Sequence, residues 1–336
     1  MNSETMTVLL ENPDAKQALR HDWKETGWQG LTLHTPSAWN LVAFSGEQAK
    51  GSLRMDNGET SGTAAGVEIR WQHIKGRITD ADIEKRLERY FAGIRRTVKR
   101  QRLVVDAKSK KVVDERHPER DLSRTFSWRS DRKAVGRIWH CTECGRLVIA
   151  QVVGAQGGLS PAAPDVLRSL QCHPADDNWQ TWSLYDLLTQ VPAEYALRGK
   201  PQLMNIYVQL MFGRGQSADT LSVEQWSVAN VQLRGAYLDE WFRQKNAAQE
   251  PLLRYEGQEV TVQGHAALLL TGRRRGLTYW ASQAGPHLAK LQMPATHFCA
   301  CLWECPESNK IYLMQSYSRR PQIETLMQAA GRTPCH

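Results

Sequence analysis

The sequence predicts an α/β (α+β) protein, built as two tandem α/β sandwich units with antiparallel sheets and related by a pseudo-twofold internal duplication. Three observations carry that expectation. The chain has 336 residues, 41% hydrophobic and 23% charged, which is enough for two ordinary domains with sound cores. Apolar residues alternate between a period of two and a period near 3.6, so strands and helices share each half. Four features recur in one order, at offsets between 151 and 164 residues.

The first recurring feature is a strand that stops at a proline followed by an aromatic residue. Pro36-Ser37-Ala38-Trp39-Asn40-Leu41 and Pro192-Ala193-Glu194-Tyr195-Ala196-Leu197 both read Pro-x-x-aromatic-x-Leu, 156 residues apart. Proline cannot donate to a sheet ladder and so ends the strand. Next comes a strand ending in tryptophan, at Trp71 and again at Trp226. An amphipathic helix follows in each half, marked by Leu87, Tyr90 and Phe91 and by Leu238, Trp241 and Phe242. The fourth feature is Trp139-His140-Cys141-Thr142-Glu143-Cys144-Gly145-Arg146-Leu147 against Trp303-Glu304-Cys305-Pro306-Glu307-Ser308-Asn309-Lys310-Ile311. Alternation on both sides of this stretch predicts a hairpin. A short helix with proline in its first turn then closes each copy.

The predicted organisation is an N-terminal extension over 1–27, a first unit over 28–173, and a second unit over 179–331. The second unit is assembled from 174–250 and 251–331, and a short tail covers 332–336. This order of elements resembles the PsbP/Mog1-like α/β/α sandwich, with only the Pro-x-x-aromatic element visible as a motif. The resemblance implies a largely non-enzymatic role as an assembly factor, small-GTPase partner or accessory subunit. It carries over no functional residue.

Charge is unevenly placed. Residues 84–133 hold 17 Lys/Arg against 8 Asp/Glu, while the whole chain is +8. Within this stretch Arg95, Arg96, Lys99, Arg100 and Arg102 are the candidate contact to an anionic partner. The alternative is a solvated helix end whose cations suit the helix dipole. No aromatic residue lies between Phe91 and Phe126 to stack on bases, which weighs against nucleic acid.

Seven cysteines form no disulfide framework. Cys141-x-x-Cys144 is half of a zinc site, and Cys172-His173, 28 residues on, is the nearest pair to complete it. The competing reading is a buried strand cysteine, because Cys141 is matched by Cys305 but Cys144 by Ser308. In 297–305, His297, Cys299, Cys301, Trp303 and Cys305 share one strand face about 7 Å apart, which suits packed thiols better than a metal. Cys335-His336 is expected to fray. No nucleophile elbow, phosphate loop or dinucleotide fingerprint occurs.

The expected function is therefore a non-catalytic binding, scaffold or accessory subunit that meets an acidic protein partner through its basic region. The alternative is a nucleic-acid-associated protein with a small zinc knuckle. No enzyme activity and no cofactor other than zinc is expected. The apolar runs are too short for a membrane span, and no leader pattern opens the sequence, so a cytoplasmic location is expected.

Overall fold

The computed structural model describes residues 22–59, 64–99, 104–155, 158–174, 176, 178–248, 252–274 and 295–336. The chain divides into two compact units, Met1–Ala175 and Asp176–His336. Among the described residues, no helix is long and apolar enough to cross a membrane.

The first unit opens with a hairpin of β1 (Trp23–Trp28) and β2 (Leu31–Pro36). Its two turn residues, Gln29 and Gly30, both have positive φ, the requirement of a tight turn that follows strand twist. The main sheet then runs through β3 (Asn40–Glu47), β4 (Lys50–Asp56) and β5 (Gly66–His73). It crosses by helix α1 (Asp80–Lys99) to β6 (Asp106–Val112), and returns through β7 (Leu122–Arg129), β8 (Lys133–His140) and β9 (Arg146–Val153). Helix α2 (Ala163–Ser169) ends the unit. The seven strands lie in the order β3-β4-β5-β9-β8-β7-β6, antiparallel throughout.

The second unit repeats this plan. A hairpin of β10 (Trp179–Leu184) and β11 (Leu187–Pro192) precedes β12 (Tyr195–Leu197), β13 (Gln202–Met204), β14 (Tyr207–Arg214) and β15 (Thr220–Ser227). Helices α3 (Ala229–Leu233) and α4 (Leu238–Lys245) stand where α1 stood. Strands β16 (Leu253–Val262), β17 (His265–Arg274), β18 (His297–Cys305) and β19 (Lys310–Ser318) and helix α5 (Ile323–Gly331) complete it. The order β12-β14-β15-β19-β18-β17-β16 is that of the first sheet, with β13 also paired to β14. The opening hairpins even share register, Trp23 opposite Pro36 and Trp179 opposite Pro192.

Helix α1 forms because its ends and one face agree. Asp82 accepts hydrogen bonds from the Thr79 backbone N–H (3.0 Å) and hydroxyl (2.6 Å), which caps the first turn and lowers the Asp82 pKa. Ile83, Leu87 and Phe91, spaced four apart, are buried against Phe126, Trp128, Ala134, Ile138 and Leu147 on one face of the sheet. Phe91 meets Phe126 edge to face, with ring centroids 5.6 Å apart. The opposite face of β8 and β9, carrying Trp139, Val148, Ala150 and Val152, is buried as well. Helix α2 packs beside β2, β8 and β9, and Thr32 bridges to Gln171.

The expected α/β sandwich is corrected to a β-rich fold of mostly antiparallel sheets, 50% strand and 18% helix among the described residues. Two physical reasons account for the difference. The opening element is a two-stranded hairpin. The charged stretch after α1 contains a strand pair, β6 and β7, where a linker was expected. As an edge strand, β6 has no buried side along most of its length, so its sequence, Asp106-Ala107-Lys108-Ser109-Lys110-Lys111-Val112, lacks the alternation that marks a strand.

Two finer expectations also change. Trp71 and Trp226 are not equivalent positions. Trp71 pairs with Val148, whose counterpart Tyr312 pairs with Gln225, so Trp226 is one residue out of step and faces the helix side. Residues 332–336, expected as a tail, are anchored by two buried side chains, while Arg332, Pro334 and His336 are exposed: Thr333 is fully buried and bonded to Thr189 (2.8 Å), and Cys335 is 5% exposed.

The sheet edges are irregular. Strand β3 has a bulge between Leu41 and Ala43, and the edge beside β14 is split into the three-residue strands β12 and β13.

Candidate metal centres

In the first unit, the β8–β9 turn presents Cys141 and Cys144. The Gly145 N–H donates to the Cys141 carbonyl (2.9 Å), and the Cys141 N–H to the Arg146 carbonyl (2.9 Å), which folds the loop into a knuckle. Gly145 has φ +66°, a left-handed backbone that glycine adopts without strain, and a Cβ there would meet the exposed His73 ring at 2.8 Å. The segment after α2 brings Cys172 and His173 to the same point. It is held by the Thr32–Gln171 bridge and by Arg120, whose guanidinium donates to the Leu170 carbonyl (2.8 Å). Arg146 donates to the carbonyls of Cys172 (2.9 Å) and Gln29 (2.8 Å), fastening the β1–β2 turn to the same segment.

The structure therefore brings Cys141, Cys144, Cys172 and His173 together, with their donor atoms within 4.8 Å of one another. The Cys144 and Cys172 sulfurs are 3.8 Å apart, and His173 Nδ1 is 3.6 Å from both the Cys141 and Cys172 sulfurs. A tetrahedral zinc ion with Zn–S of about 2.3 Å and Zn–N of about 2.0–2.1 Å sets donor edges of about 3.8 and about 3.5 Å. The other ring nitrogen of His173 meets the Glu143 carboxylate at 3.1 Å, the outer partner that orients a ligating imidazole.

The thiols share hydrogen bonds. Cys141 is pulled well below its ordinary value, because Cys144, Cys172 and the backbone N–H groups of Cys144 and Glu143 donate to its sulfur. Cys144 and Cys172 are pushed up, each chiefly because Cys141 takes up the negative charge. The Trp139 indole N–H lies beside Cys172 and favours its thiolate form.

The second unit gathers His265, Cys305, Cys335 and His336 in the same way, again within 4.8 Å. Of these only Cys305 had been matched to its counterpart. Cys335-His336 was expected to fray, and His265 carried no expectation. The signal that could have found Cys335-His336 is the repeat itself: Cys172-His173 and Cys335-His336 are identical dipeptides 163 residues apart, beside Cys141 and Cys305 at 164.

Cys299 and Cys301 belong to neither cluster. Burial in β18 pushes their thiols up, to about 11 and about 12. Unfolded thiols ionise near pH 8.5, so above that pH the unfolded chain has lost protons that the folded chain still holds. Stability is expected to fall from about pH 8.5 towards pH 11, by up to about 1.4 kcal/mol per pH unit for each thiol. A Cys299→Ala/Cys301→Ala variant should show a flatter alkaline slope in urea denaturation. An unchanged slope would assign the effect to other groups.

The basic residues divide. Arg95, Arg96 and Lys99 are exposed on the last turns of α1, while Arg100 and Arg102 lie outside the described residues. Arg95 is 3.7 Å from Glu88, and Arg96 donates to the Ala92 carbonyl (3.3 Å). None of the three belongs to a metal cluster. A cationic surface groove that sequence reasoning missed lies along the same helix. A groove of about 610 Å³ is lined by Lys50, Arg70, Arg86, Arg89, Trp71 and Tyr90, among others, with no Asp or Glu in its lining. Arg70 stands 5.5 Å from the Tyr90 ring centroid. The cations come from β4, β5 and α1, far apart in sequence, so no run of charge marks the groove.

No protein-family model and no curated protein matches the sequence.

Proposed function

We propose that the chain is a non-catalytic binding subunit whose first unit holds a structural zinc ion and meets an acidic protein segment in the groove beside α1. The observation that carries this reading is the groove's charge: four cations and no carboxylate line it. Such a surface concentrates anionic partners. At 100° per residue, Arg96 falls within about 80° of Arg86 around the helix and extends the same cationic flank. Arg95 points elsewhere and is partly neutralised by Glu88.

The zinc assignment is structural because Cys141, Cys144, Cys172 and His173 supply four protein ligands and leave no open position for a substrate. The deeply buried carboxylates serve the fold. Asp114 is paired with Arg137 at 2.7 Å, Asp219 with Arg214, and Glu224 with Lys245 at 2.9 Å. Seven free thiols suit the reducing cytoplasm as the place of action.

The test uses full-length protein, a glutamate-rich peptide and a single-stranded oligonucleotide, with binding followed by fluorescence anisotropy. A Lys50→Gln/Arg86→Gln/Arg89→Gln variant is expected to lose tenfold or more of its peptide affinity while its melting temperature stays within a degree or two. Wild-type binding should weaken as salt rises, because exposed charges are screened beyond about 8–10 Å near physiological ionic strength. Tighter binding of the oligonucleotide would favour the nucleic-acid reading. Unchanged peptide affinity in the variant would remove the groove from the function.

A further inference from the structure

We infer that the second unit carries a metal centre of its own, a Cys₂His₂ zinc site made by His265, Cys305, Cys335 and His336, in which one ligand has moved to a different strand. His336 Nδ1 stands 3.5 Å from the Cys305 sulfur and 3.4 Å from the Cys335 sulfur, close to the edge a tetrahedral zinc requires. The same nitrogen, Nδ1, faces the sulfurs in His173 and His336. Cys305 occupies the knuckle position of Cys141. Asn309 takes the left-handed position of Gly145, with φ +52°.

The knuckle's second cysteine is Ser308 here, so that donor is missing. His265 supplies the replacement. It follows the tight turn Gln263-Gly264, both with positive φ, and opens β17. Its side chain is 12% exposed, and its Nε2 is buried with no hydrogen-bond partner among the described residues. A metal ion would satisfy this nitrogen. In the first unit the register-equivalent position on β7 is Asp121, 52% exposed and outside the cluster, where Cys144 makes a fourth donor from that strand unnecessary.

The groups around the ligands are related but not identical. Glu307, the counterpart of Glu143, is 3.5 Å from the Cys305 sulfur and 3.8 Å from His265 Nε2. The Trp303 indole N–H lies beside Cys335 as that of Trp139 lies beside Cys172. Tyr312 donates to the Cys335 carbonyl (3.4 Å) and holds the ligand segment in place.

The experiment measures zinc per chain by elemental analysis of full-length protein purified without chelator, then replaces zinc with cobalt. Two equivalents are expected in the wild type, and one each in His265→Asn and in Cys144→Ser. In cobalt-loaded protein, His265→Asn should remove the weaker, two-thiolate part of the sulfur-to-cobalt charge-transfer band, and Cys144→Ser the stronger, three-thiolate part. One equivalent in the wild type, lost in Cys144→Ser and kept in His265→Asn, would overturn the second centre and leave the first standing. No metal in reduced, folded wild type would overturn both centres while leaving the peptide-binding test of the groove unaffected.

Discussion

Replacing Cys172 by serine is expected to strip zinc from the first unit and to lower its stability by about 4 kcal/mol, the stabilisation from a ligand held at about 1,000 times its dissociation constant. The first unit already has a sizeable core, with Phe91, Phe126 and Ile138 all nearly or fully buried. A zinc ion bound there would therefore add to a folded structure, unlike the zinc-finger peptides that metal alone folds. Urea denaturation with and without chelator checks the prediction. Chelator should lower the wild-type midpoint and leave the first-unit transition of Cys172→Ser unmoved. A wild-type midpoint indifferent to chelator would show that the centre contributes nothing to stability.

Arg120→Met is expected to destabilise the first unit by about 1–3 kcal/mol, the cost of leaving the buried Leu170 carbonyl without its donor while Asp114 keeps Arg137. The Arg120 side chain is 1% exposed and stands 3.5 Å from the Asp114 carboxylate. Its guanidinium also lies 4.9 Å from the centroid of the Trp139 ring and donates to the Leu170 carbonyl. Because Leu170 and Gln171 lead directly into Cys172, loss of Arg120 should also weaken zinc at the first centre and leave the second unchanged. Denaturation and zinc competition on one preparation separate the two effects. A stability loss under 1 kcal/mol would mean that the Arg137–Asp114 pair, at 2.7 Å, carries the cluster alone.

The duplication was legible because it rests on residue types with strong local meaning: proline ending a strand, an aromatic three residues later, and Trp-x-Cys before a turn. The gathering of the first ligand cluster was legible from the spacing of Cys141 and Cys144 and the nearness of Cys172-His173. The second was not, because His265 enters from a hairpin 40 residues before Cys305 and matches no ligand spacing. The β-rich character was hidden by β6, whose lysines belong to an exposed edge and read as linker. The match of Trp71 to Trp226 failed for a different reason. Sequence offset cannot detect a one-residue change of register, and in a sheet such a change moves a side chain to the opposite face.

The irregular sheet edges have a consequence for how a duplicated chain folds. Two units with one strand order, joined in a single polypeptide, present matching edges to each other at high local concentration during folding, the setting in which neighbouring repeats exchange strands or aggregate. Exposed edge strands template such pairing unless it is blocked. The bulge in β3, the break between β12 and β13 around Pro201, and Lys108, Lys110 and Lys111 along β6 each spoil a continuous, uncharged edge. The lysines that disguise β6 in the sequence thus stand where they would oppose edge-to-edge pairing. Exchanging them for threonine should leave the native fold in place and raise the yield of strand-swapped or aggregated product on refolding, seen as early-eluting species in size-exclusion chromatography.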